Sequence, residues 1–230
     1  MNNIPISNKI PELDLAIKAA QEAGNTILKI YEKGFKTFTK TDNSPVTDAD
    51  LQSNKIIKEI LSVTKHSILS EEDVDDKNRL SNDMVWIIDP LDGTSDFIDK
   101  TGEFTVMIAL IENQKPILGV IAWPTEKTLF VAQKNCGAFR YSDNKWEKIS
   151  VTKISELPKC RTIGSRHHLS DKEKDFIEKI GIKDFTSIGS SLKVGKISSG
   201  QAEVYITTTN KMKEWDTAAS HCIISEAGGK

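Results

Sequence analysis

The amino-acid sequence predicts an α+β fold in two parts, and three observations support this prediction. Apolar residues recur at helical spacing in the N-terminal region. From Met84 onward, short apolar runs alternate with turn-forming residues, which is typical of an antiparallel sheet. After Val151, strand-like and helix-like segments follow one another, as they do in α/β proteins. We therefore predict an N-terminal α+β domain over residues 1–153 and a C-terminal α/β domain over residues 154–230.

The N-terminal region is expected to form two helices. The first is predicted by apolar residues at helical spacing, which are Leu13, Ile17, Ala20, Ala23 or Gly24, Ile27 and Tyr31. Gly34 is a suitable residue to end this helix. Thr47 and Asp50 resemble a capping box at the start of the second helix, with Asp in place of the usual Glu or Gln. The apolar side of that second helix is expected to consist of Leu51, Ile56, Ile57, Ile60 and Leu61.

The rest of the chain predicts a series of strands, followed by alternating strands and helices. The expected strands are 67–70, 86–88, 104–111, 116–123, 128–132, 137–141, 161–164, 185–188 and 203–206. The expected helices are 171–180, 192–198 and 216–227. Residues 112–115 separate two apolar runs, so we expect a hairpin there. One antiparallel sheet is expected from the strands 104–111, 116–123, 128–132 and 137–141.

The composition argues against several classes of protein. Lys and Arg number 31 against 33 Asp and Glu, which gives a formal net charge of -2. This balance does not support binding to a nucleic-acid polymer, although one basic pocket could still bind a small anion. The three cysteines are widely spaced and odd in number, so no disulfide framework is expected. No apolar run approaches the roughly 20 residues that span a bilayer, and the N-terminus lacks a signal-peptide pattern, so we predict a cytoplasmic protein.

Two carboxylates follow the strand-like apolar run 86–88. Asp89 and Asp92 are three residues apart in the sequence Asp-Pro-Leu-Asp-Gly-Thr. Two carboxylates held this close repel each other unless a positive charge lies between them. Oxygen-only ligands of this kind suit a hard cation such as Mg²⁺. The same residues also form a favourable turn, so this motif alone leaves both interpretations open.

Further acidic residues occur in similar settings. Glu71 follows the predicted strand 67–70, and Asp216 lies at or near the N-cap of the last predicted helix. Taken separately, the first could belong to a solvated acidic loop and the second could only cap its helix. Together with Asp89 and Asp92, they favour a cation site. No His or Cys cluster with metal-ligand spacing indicates a softer ion such as Zn²⁺.

The sequence resembles the inositol monophosphatase superfamily of Mg²⁺-dependent, lithium-sensitive phosphatases. The two most specific motifs are residues 86–97, around Asp-Pro-Leu-Asp-Gly-Thr, and residues 215–229, around Trp-Asp-Thr-Ala-Ala and Gly-Gly. Within that superfamily the chain is most similar to the bacterial CysQ-type 3'(2'),5'-bisphosphate nucleotidases. The similar segments are residues 42–47, 69–72, 102–106, 116–120 and 187–193. The resemblance implies a layered αβαβα sandwich of the inositol monophosphatase and sugar phosphatase type.

The resemblance also implies a function for each matching residue. The expected ligands of two or three Mg²⁺ ions are Glu71, Asp89, Asp92, Asp216 and the main-chain carbonyl of Leu91. Thr94 matches a residue that, with an acid matching Asp50, positions and deprotonates the attacking water, and Glu71 is also an expected catalytic residue. The backbone N–H groups of Gly93 and Thr94 would hold the phosphate. The expected substrate contacts are Glu71, Leu91, Asp92, Gly93, Thr94, His168, Ser190, Lys193 and Asp216.

Two features depart from the pattern of the superfamily. Relatives usually have a Pro-Arg pair and a Gly between Gln201 and Trp215, and this chain has neither. Lys211 or Lys213 could supply a point charge in place of the Arg, without its planar fork. The chain also ends at Lys230, where relatives continue for a few tens of residues, so an exposed apolar edge is expected there.

The predicted activity is that of an Mg²⁺-dependent phosphomonoesterase. By resemblance it removes the 3'-phosphate of adenosine 3',5'-bisphosphate and gives AMP and phosphate, a reaction of sulfur metabolism and nucleotide recycling. An inositol or sugar monophosphatase is the alternative, and a non-catalytic nucleotide or phosphate binder is a further one. The expected partner is a small phosphorylated nucleotide, and the protein is expected to be a monomer or a homodimer. The resemblance also allows peripheral attachment to the cytoplasmic face of the inner membrane.

Overall fold

The computed structural model describes residues 4–210 and 212–230. Within these residues the helices are α1 (Pro11–Lys33), α2 (Asp48–Leu61), α3 (Thr94–Ile98), α4 (Asp171–Lys179), α5 (Leu192–Ser198) and α6 (Glu214–Glu226). The strands are β1 (Thr37–Thr39), β2 (Pro45–Thr47), β3 (Ser67–Ser70), β4 (Met84–Asp92), β5 (Thr105–Glu112), β6 (Lys115–Trp123), β7 (Thr128–Gln133), β8 (Gly137–Ser142), β9 (Lys145–Ile149), β10 (Arg161–Ser165), β11 (Asp184–Ile188) and β12 (Val204–Tyr205). Every predicted helix and strand has a counterpart. None of the described helices combines the length and the apolar character that a membrane crossing requires.

The junction between the first two helices agrees with the prediction. Gly34 ends α1 with a φ of 101°, a backbone conformation that favours glycine, and its N–H donates to Ile30 O at 3.0 Å. A capping box starts α2, in which Asp50 Oδ2 accepts a hydrogen bond from the Thr47 N–H at 2.7 Å. Local side-chain chemistry thus fixes the start of α2, on which a candidate site residue lies.

The buried face of α2 differs from the prediction at one position. The expected burial of Leu51 is wrong, because this residue is 48% exposed. The helix buries Ser53 and Asn54 instead, since both have hydrogen-bond partners inside the protein. Ser53 Oγ donates to Pro90 O at 2.7 Å, and Asn54 Oδ1 accepts from Ser70 Oγ at 2.8 Å. These polar contacts with β3 and β4 set the rotation of α2 and leave Leu51 on the outside.

A seven-stranded sheet with the order β3-β4-β5-β6-β7-β8-β9 forms the centre of the molecule. Its neighbouring strands are antiparallel except for β3 and β4, which run parallel. The turn between β5 and β6 contains Asn113 and Gln114, both with positive φ, as a tight two-residue hairpin requires. No predicted strand corresponds to β9, because the charges of Lys145, Glu147 and Lys148 obscure its apolar residues. The parallel pairing brings the carboxyl ends of β3 and β4 together.

The helices and sheets form five layers. Helices α1 and α2 cover one face of the seven-stranded sheet, where Trp86 and Ile88 are buried. Helix α6 and Val194 of α5 cover the opposite face, next to Ile87. Through Leu192, α5 also packs on the three-stranded parallel sheet β11-β10-β12, and α4 covers the outer face of that sheet. This order of layers confirms the predicted αβαβα sandwich.

The last helix returns to the N-terminal sheet. A Cβ atom at Gly119 of β6 would lie 2.6 Å from Ala219 O of α6, so glycine permits the close approach of this helix. The N-terminus of α6 is thereby held over the sheet that contains β4. The division into domains 1–153 and 154–230 stays a prediction.

Candidate active site

The acidic residues that the sequence singles out meet where β3 and β4 end. The parallel pairing of Ser70 with Ile88 places Glu71, which follows β3, beside Asp89 of β4. The Glu71 N–H donates to Ile88 O at 3.3 Å and extends this pairing. The register of β4 against β5 then shifts between Asp89 and Asp92. Residues three apart in a regular strand point to opposite faces, so this irregularity allows the two carboxylates to share one site.

Asp216 joins them from the first turn of α6. It is the third residue of that helix, close to the N-cap as predicted, and its Oδ2 accepts a hydrogen bond from the Lys213 N–H at 2.6 Å. Carboxylate oxygens of Asp89, Asp92 and Asp216 all lie within 4.8 Å of one another. In the part of the chain that the structure describes, no other group of three His, Cys, Asp or Glu side chains has this geometry.

The acidic cluster consists of Glu71, Asp89, Asp92 and Asp216, and burial and mutual repulsion make its three aspartates costly to ionise. Burial raises the pKa of Asp89 well above its ordinary value, and the charges of the other three acids and a hydrogen bond with Glu71 add to the shift. Burial also raises the pKa of Asp92, although the charge of Lys193 opposes it. The pKa of Asp216 rises to about 6, mainly by burial. A divalent cation would offset this cost, and a donor set of oxygens alone fits a hard ion such as Mg²⁺.

A hydroxyl–carboxylate pair lies next to the acidic cluster. Thr94 Oγ1, at the start of α3, donates to Asp50 Oδ1 at 3.0 Å and lies 3.3 Å from the main-chain oxygen of Leu91. The other oxygen of Asp50 accepts from the N–H and from Oγ1 of Thr47, at 2.7 and 2.5 Å. Burial raises the pKa of Asp50, and these hydrogen bonds oppose the shift. Asp50 is therefore both the acidic member of the capping box that starts α2 and the partner of Thr94.

The loop before α5 contacts the acidic cluster. The Ser191 N–H donates to Asp92 Oδ2. A Cβ atom at Gly93 would lie 3.1 Å from Ser190 Cβ, so Ser190 lies against the start of α3. Lys193 is 8% exposed, and its Nζ donates to Ser190 O at 2.5 Å. Burial lowers the pKa of Lys193, and the charge of Asp92 opposes this shift. Ser190 and Lys193 thus lie at the site, while their contact with substrate stays a prediction.

His168 lies in a groove of about 420 Å³ between the loop after β10 and the segment after β12. Glu173 and Thr208 also line this groove, and no residue of the acidic cluster does. The structure therefore places His168 in a groove that no residue of the acidic cluster lines, and its contact with substrate stays a prediction.

Lys40 is a site residue that the sequence did not reveal. Its Nζ lies 2.9 Å from Glu71 Oε1 and 2.7 Å from Glu72 Oε1. Burial opposes ionisation of Lys40, but its hydrogen bonds to these two acids raise its pKa. Burial raises the pKa of Glu72 to about 7. In the sequence, Lys40 stands out only by its position just before the segment 42–47. Spacing does not predict its contact with Glu71, which lies 31 residues further along the chain.

The replacement of the Arg that relatives have before Trp215 by Lys211 or Lys213 stays a prediction. Lys211 lies outside the described residues. Lys213 is exposed, and its charge lowers the pKa of Asp216 in opposition to burial. Lys213 is also the N-cap residue of α6, the helix that carries Asp216 in its first turn.

Comparison with known proteins agrees with this geometry. Residues 10–230 match the model of the inositol monophosphatase family. The chain belongs to the inositol monophosphatase family. It is 36% identical over 225 residues to the 3'(2'),5'-bisphosphate nucleotidase CysQ of Shigella flexneri, which covers 94% of this chain and 88% of that protein. It is 38% identical over 228 residues to the protein of the same name from Buchnera aphidicola subsp. Acyrthosiphon pisum, covering 95% and 83%.

Solved structures of this family have the same fold. The crystal structure of CysQ from Bacteroides thetaiotaomicron has a TM-score of 0.82 and 36% identity, and covers 94% of this chain and 86% of that chain. The Thermotoga maritima IMPase has a TM-score of 0.82 and 27% identity, with 95% and 84% covered. This inositol monophosphatase family member is therefore a phosphatase.

Proposed function

We propose that this inositol monophosphatase family member is an Mg²⁺-dependent phosphatase that removes the 3'-phosphate of adenosine 3',5'-bisphosphate and gives AMP. One observation carries the proposal. Carboxylate oxygens of Asp89, Asp92 and Asp216 lie within 4.8 Å of one another, next to the hydrogen-bonded pair of Thr94 and Asp50. Mg²⁺ is typically bound by a few carboxylates together with the phosphate groups of a substrate.

The residues that would hold two or three Mg²⁺ ions are Glu71, Asp89, Asp92, Asp216 and the carbonyl of Leu91. Main-chain groups already orient two of these carboxylates: Asp89 Oδ1 accepts from the Leu91 N–H at 3.1 Å, and Asp92 Oδ2 accepts from the Ser191 N–H. Hydrogen bonds of this kind fix ligand geometry before the metal binds. When bound, the ions would neutralise the phosphate oxygens and acidify the attacking water.

Thr94 and Asp50 are proposed to position the attacking water and to remove its proton. Thr94 Oγ1 donates its hydrogen to Asp50 Oδ1, so its lone pairs can accept a hydrogen bond from water. As the water attacks phosphorus, its proton passes to Thr94 Oγ1 while the Thr94 proton passes to Asp50. The bond between phosphorus and the 3'-oxygen breaks, and the 3'-oxygen takes a proton from solvent to give AMP. Glu71 is proposed to assist by accepting a hydrogen bond from the same water.

The amides of Gly93 and Thr94 are proposed to bind the transferred phosphate. Gly93 has a φ of 93° in the left-handed region, and the right-handed turn of α3 follows it directly. Consecutive N–H groups in such a left-handed to right-handed step form a concave anion site. Ser190 lies against Gly93, and Lys193, at the start of α5, donates to Ser190 O, so a hydroxyl and an ammonium group would lie close to the same phosphate.

The nucleoside part of the substrate is proposed to extend toward the groove that contains His168. In the sheet order β11-β10-β12, the two later strands lie on opposite sides of β10. Ligands of α/β proteins bind at such a switch point, beyond the carboxyl ends of the strands, and the groove lies there. The names of the relatives from Shigella flexneri and Buchnera aphidicola support a bisphosphorylated nucleotide as the substrate.

An inositol or sugar monophosphatase is the alternative. It is favoured by the TM-score of 0.82 with the Thermotoga maritima IMPase, which equals that with Bacteroides thetaiotaomicron CysQ. The same acidic cluster would serve either substrate, so the two proposals differ only in what binds beside it. A non-catalytic binder is disfavoured, because binding alone would not need the pairing of Thr94 with Asp50.

A phosphate-release assay distinguishes these functions. Adenosine 3',5'-bisphosphate and inositol 1-phosphate are offered separately with Mg²⁺, and we expect faster release from the nucleotide and none after addition of EDTA. Asp89→Asn should abolish release, whereas Asp175→Asn, at an exposed position on α4, should not change it. Faster release from inositol 1-phosphate would select the alternative. Undiminished release by Asp89→Asn would contradict the metal site, and tight nucleotide binding without release would indicate a binder.

A further inference from the structure

A buried arginine links two of the segments that contribute to the acidic cluster. Arg79 lies in the short 3₁₀ helix Lys77–Ser81 and is 7% exposed, whereas its neighbour Leu80 is 67% exposed. A charged side chain is buried here and an apolar one is exposed, which reverses the usual pattern. The contacts of Arg79 therefore determine which way this helix faces.

The guanidinium group of Arg79 binds two carboxylates. Its Nε and Nη2 donate to the oxygens of Asp75 at 2.7 and 3.2 Å. Its Nη2 and Nη1 donate to the oxygens of Glu214 at 2.6 and 3.4 Å. Bidentate pairs of this type fix orientation as well as distance. Arg79 therefore sets the position of Glu214 relative to Asp75.

The ion pair between Arg79 and Glu214 lies at the start of α6. Glu214 is the first residue of the helix and precedes Asp216 by two positions. The N-cap residue is Lys213, whose side chain offers no oxygen to cap the helix. The ion pair with Arg79 thus ties the first turn of α6, and with it the Asp216 carboxylate, to the loop after β3.

Asp75, the other carboxylate bound by Arg79, lies in the loop that begins with Glu71. Asp73 of this loop is held to α2, because its Oδ2 accepts from Lys58 Nζ at 2.6 Å. The loop is therefore anchored to α2 on one side and to α6 on the other. Glu71, at its start, is the residue through which this loop contributes to the acidic cluster.

We propose that Arg79 is a positioning residue for the divalent-cation site and sets the separation between Glu71 and Asp216. The proposal rests on the proposed function, because it assumes that the acidic cluster binds Mg²⁺. Carboxylates from separate segments repel one another, so the cluster would widen if the link through Arg79 were broken. Loss of an outer contact of this kind typically lowers metal affinity by about 10- to 100-fold.

Calorimetric titration with Mg²⁺ tests this proposal on the unaltered protein, Arg79→Met and Glu214→Gln. We expect both variants to bind Mg²⁺ about tenfold more weakly or worse, with kcat largely recovered at saturating Mg²⁺. The double variant should bind Mg²⁺ no more weakly than the weaker-binding single variant, because both changes break the same link. Arg140→Met is the matched control, since Arg140 pairs with Glu147 between β8 and β9 at 2.8 Å, and its Mg²⁺ affinity should stay unchanged.

The possible outcomes separate this proposal from the proposed function. Equal Mg²⁺ affinity in the unaltered protein, both single variants and the double variant would overturn it, even if the variants unfold at a lower temperature in EDTA. If Arg79→Met does not fold, Glu214→Gln decides, because the Glu214 side chain is 56% exposed and tolerates substitution. A lack of Mg²⁺ binding by the unaltered protein would refute the cation site itself, together with this inference.

Discussion

The Thr94 hydroxyl lies 3.0 Å from Asp50 Oδ1, across 44 residues of sequence. Thr94 is at the start of α3 and Asp50 is in the first turn of α2, so two helix starts meet beside the acidic cluster. The second oxygen of Asp50 accepts from the Thr47 N–H at 2.7 Å and caps α2. The proposed catalytic contact and the structural contact of Asp50 therefore use different atoms, and substitutions can separate them.

Thr94→Val should lower kcat by about 100-fold or more, because the water loses its proton acceptor. The unfolding temperature should fall modestly, since Val keeps the shape of Thr but leaves Asp50 Oδ1 without this hydrogen bond. Thr128→Val is the control: the Thr128 hydroxyl donates to Glu126 O at 3.1 Å in β7, away from the acidic cluster. Steady-state kinetics and thermal unfolding check both variants, and an unchanged kcat in Thr94→Val would remove Thr94 from the mechanism.

Asp50→Ala should lower both activity and stability. The loss of the Thr94 partner should reduce kcat as in Thr94→Val, and the loss of the cap on α2 should cost about 1 kcal/mol of unfolding free energy. Urea unfolding and kinetics on the same protein measure the two effects. A loss of activity at unchanged unfolding free energy would show that the capping contact does not stabilise α2.

The metal-free protein should become less stable as the pH rises through the weakly acidic range. Burial raises the pKa of Asp216 from its ordinary 3.8 to about 6 in the folded state. The folded state thus binds more protons than the unfolded state between these values, and the free energy of unfolding falls as the pH rises from about 3.8 to about 6. Asp89, whose pKa burial also raises, should add to this fall.

Thermal unfolding in EDTA and in saturating Mg²⁺ measures this dependence. We expect the fall in EDTA only, because Mg²⁺ binds the ionised carboxylates and stabilises the folded state. Asp216→Asn should reduce the fall in unfolding free energy with pH in EDTA, because Asn does not titrate. The same slope with and without Mg²⁺ would contradict a cation site at these acids.

Asp89→Asn should abolish stabilisation by Mg²⁺ without lowering the stability of the metal-free protein. The substitution keeps the shape of the side chain. It removes a carboxylate whose negative charge is disfavoured by burial and by repulsion from the other acids. Unfolding temperatures with EDTA and with Mg²⁺ measure both effects, and Asp175→Asn provides the reference. A large loss of stability in EDTA would mean that Asp89 is mainly a structural residue.

Gly119→Ala should displace α6. The new Cβ would meet Ala219 O at 2.6 Å, so the helix must move away from β6, at a cost of about 1–3 kcal/mol. Because Asp216 lies in the first turn of α6, the affinity for Mg²⁺ should fall as well. Urea unfolding and Mg²⁺ titration check these effects, and unchanged values in both would show that the contact of α6 with β6 adapts easily.

Short-range chemistry made much of the fold and of the candidate site predictable. The capping box at Thr47 and Asp50 and the glycine at position 34 each depend on neighbours within a few residues. Asp89 and Asp92 stand out because a turn with two acids follows an apolar strand. The parallel pairing of β3 with β4 then places Glu71 beside Asp89, and the sequence indicated both strands.

Contacts between distant segments could not be read from spacing. Lys40 meets Glu71 through the hairpin of β1 and β2, and Arg79 meets Glu214 across 135 residues. The exposure of Leu51 has the same cause, since polar partners on other elements decide which face of α2 is buried. Such contacts depend on how whole elements are stacked, which local patterns do not specify.

The acidic cluster is tested most directly by crystals soaked with Mn²⁺, which favours the same oxygen ligands as Mg²⁺ and scatters X-rays anomalously. We predict an anomalous peak bound by the carboxylates of Asp89, Asp92 and Asp216, at Mn²⁺ concentrations that support phosphate release. A peak elsewhere in the molecule, or no peak under those conditions, would contradict the metal-dependent mechanism.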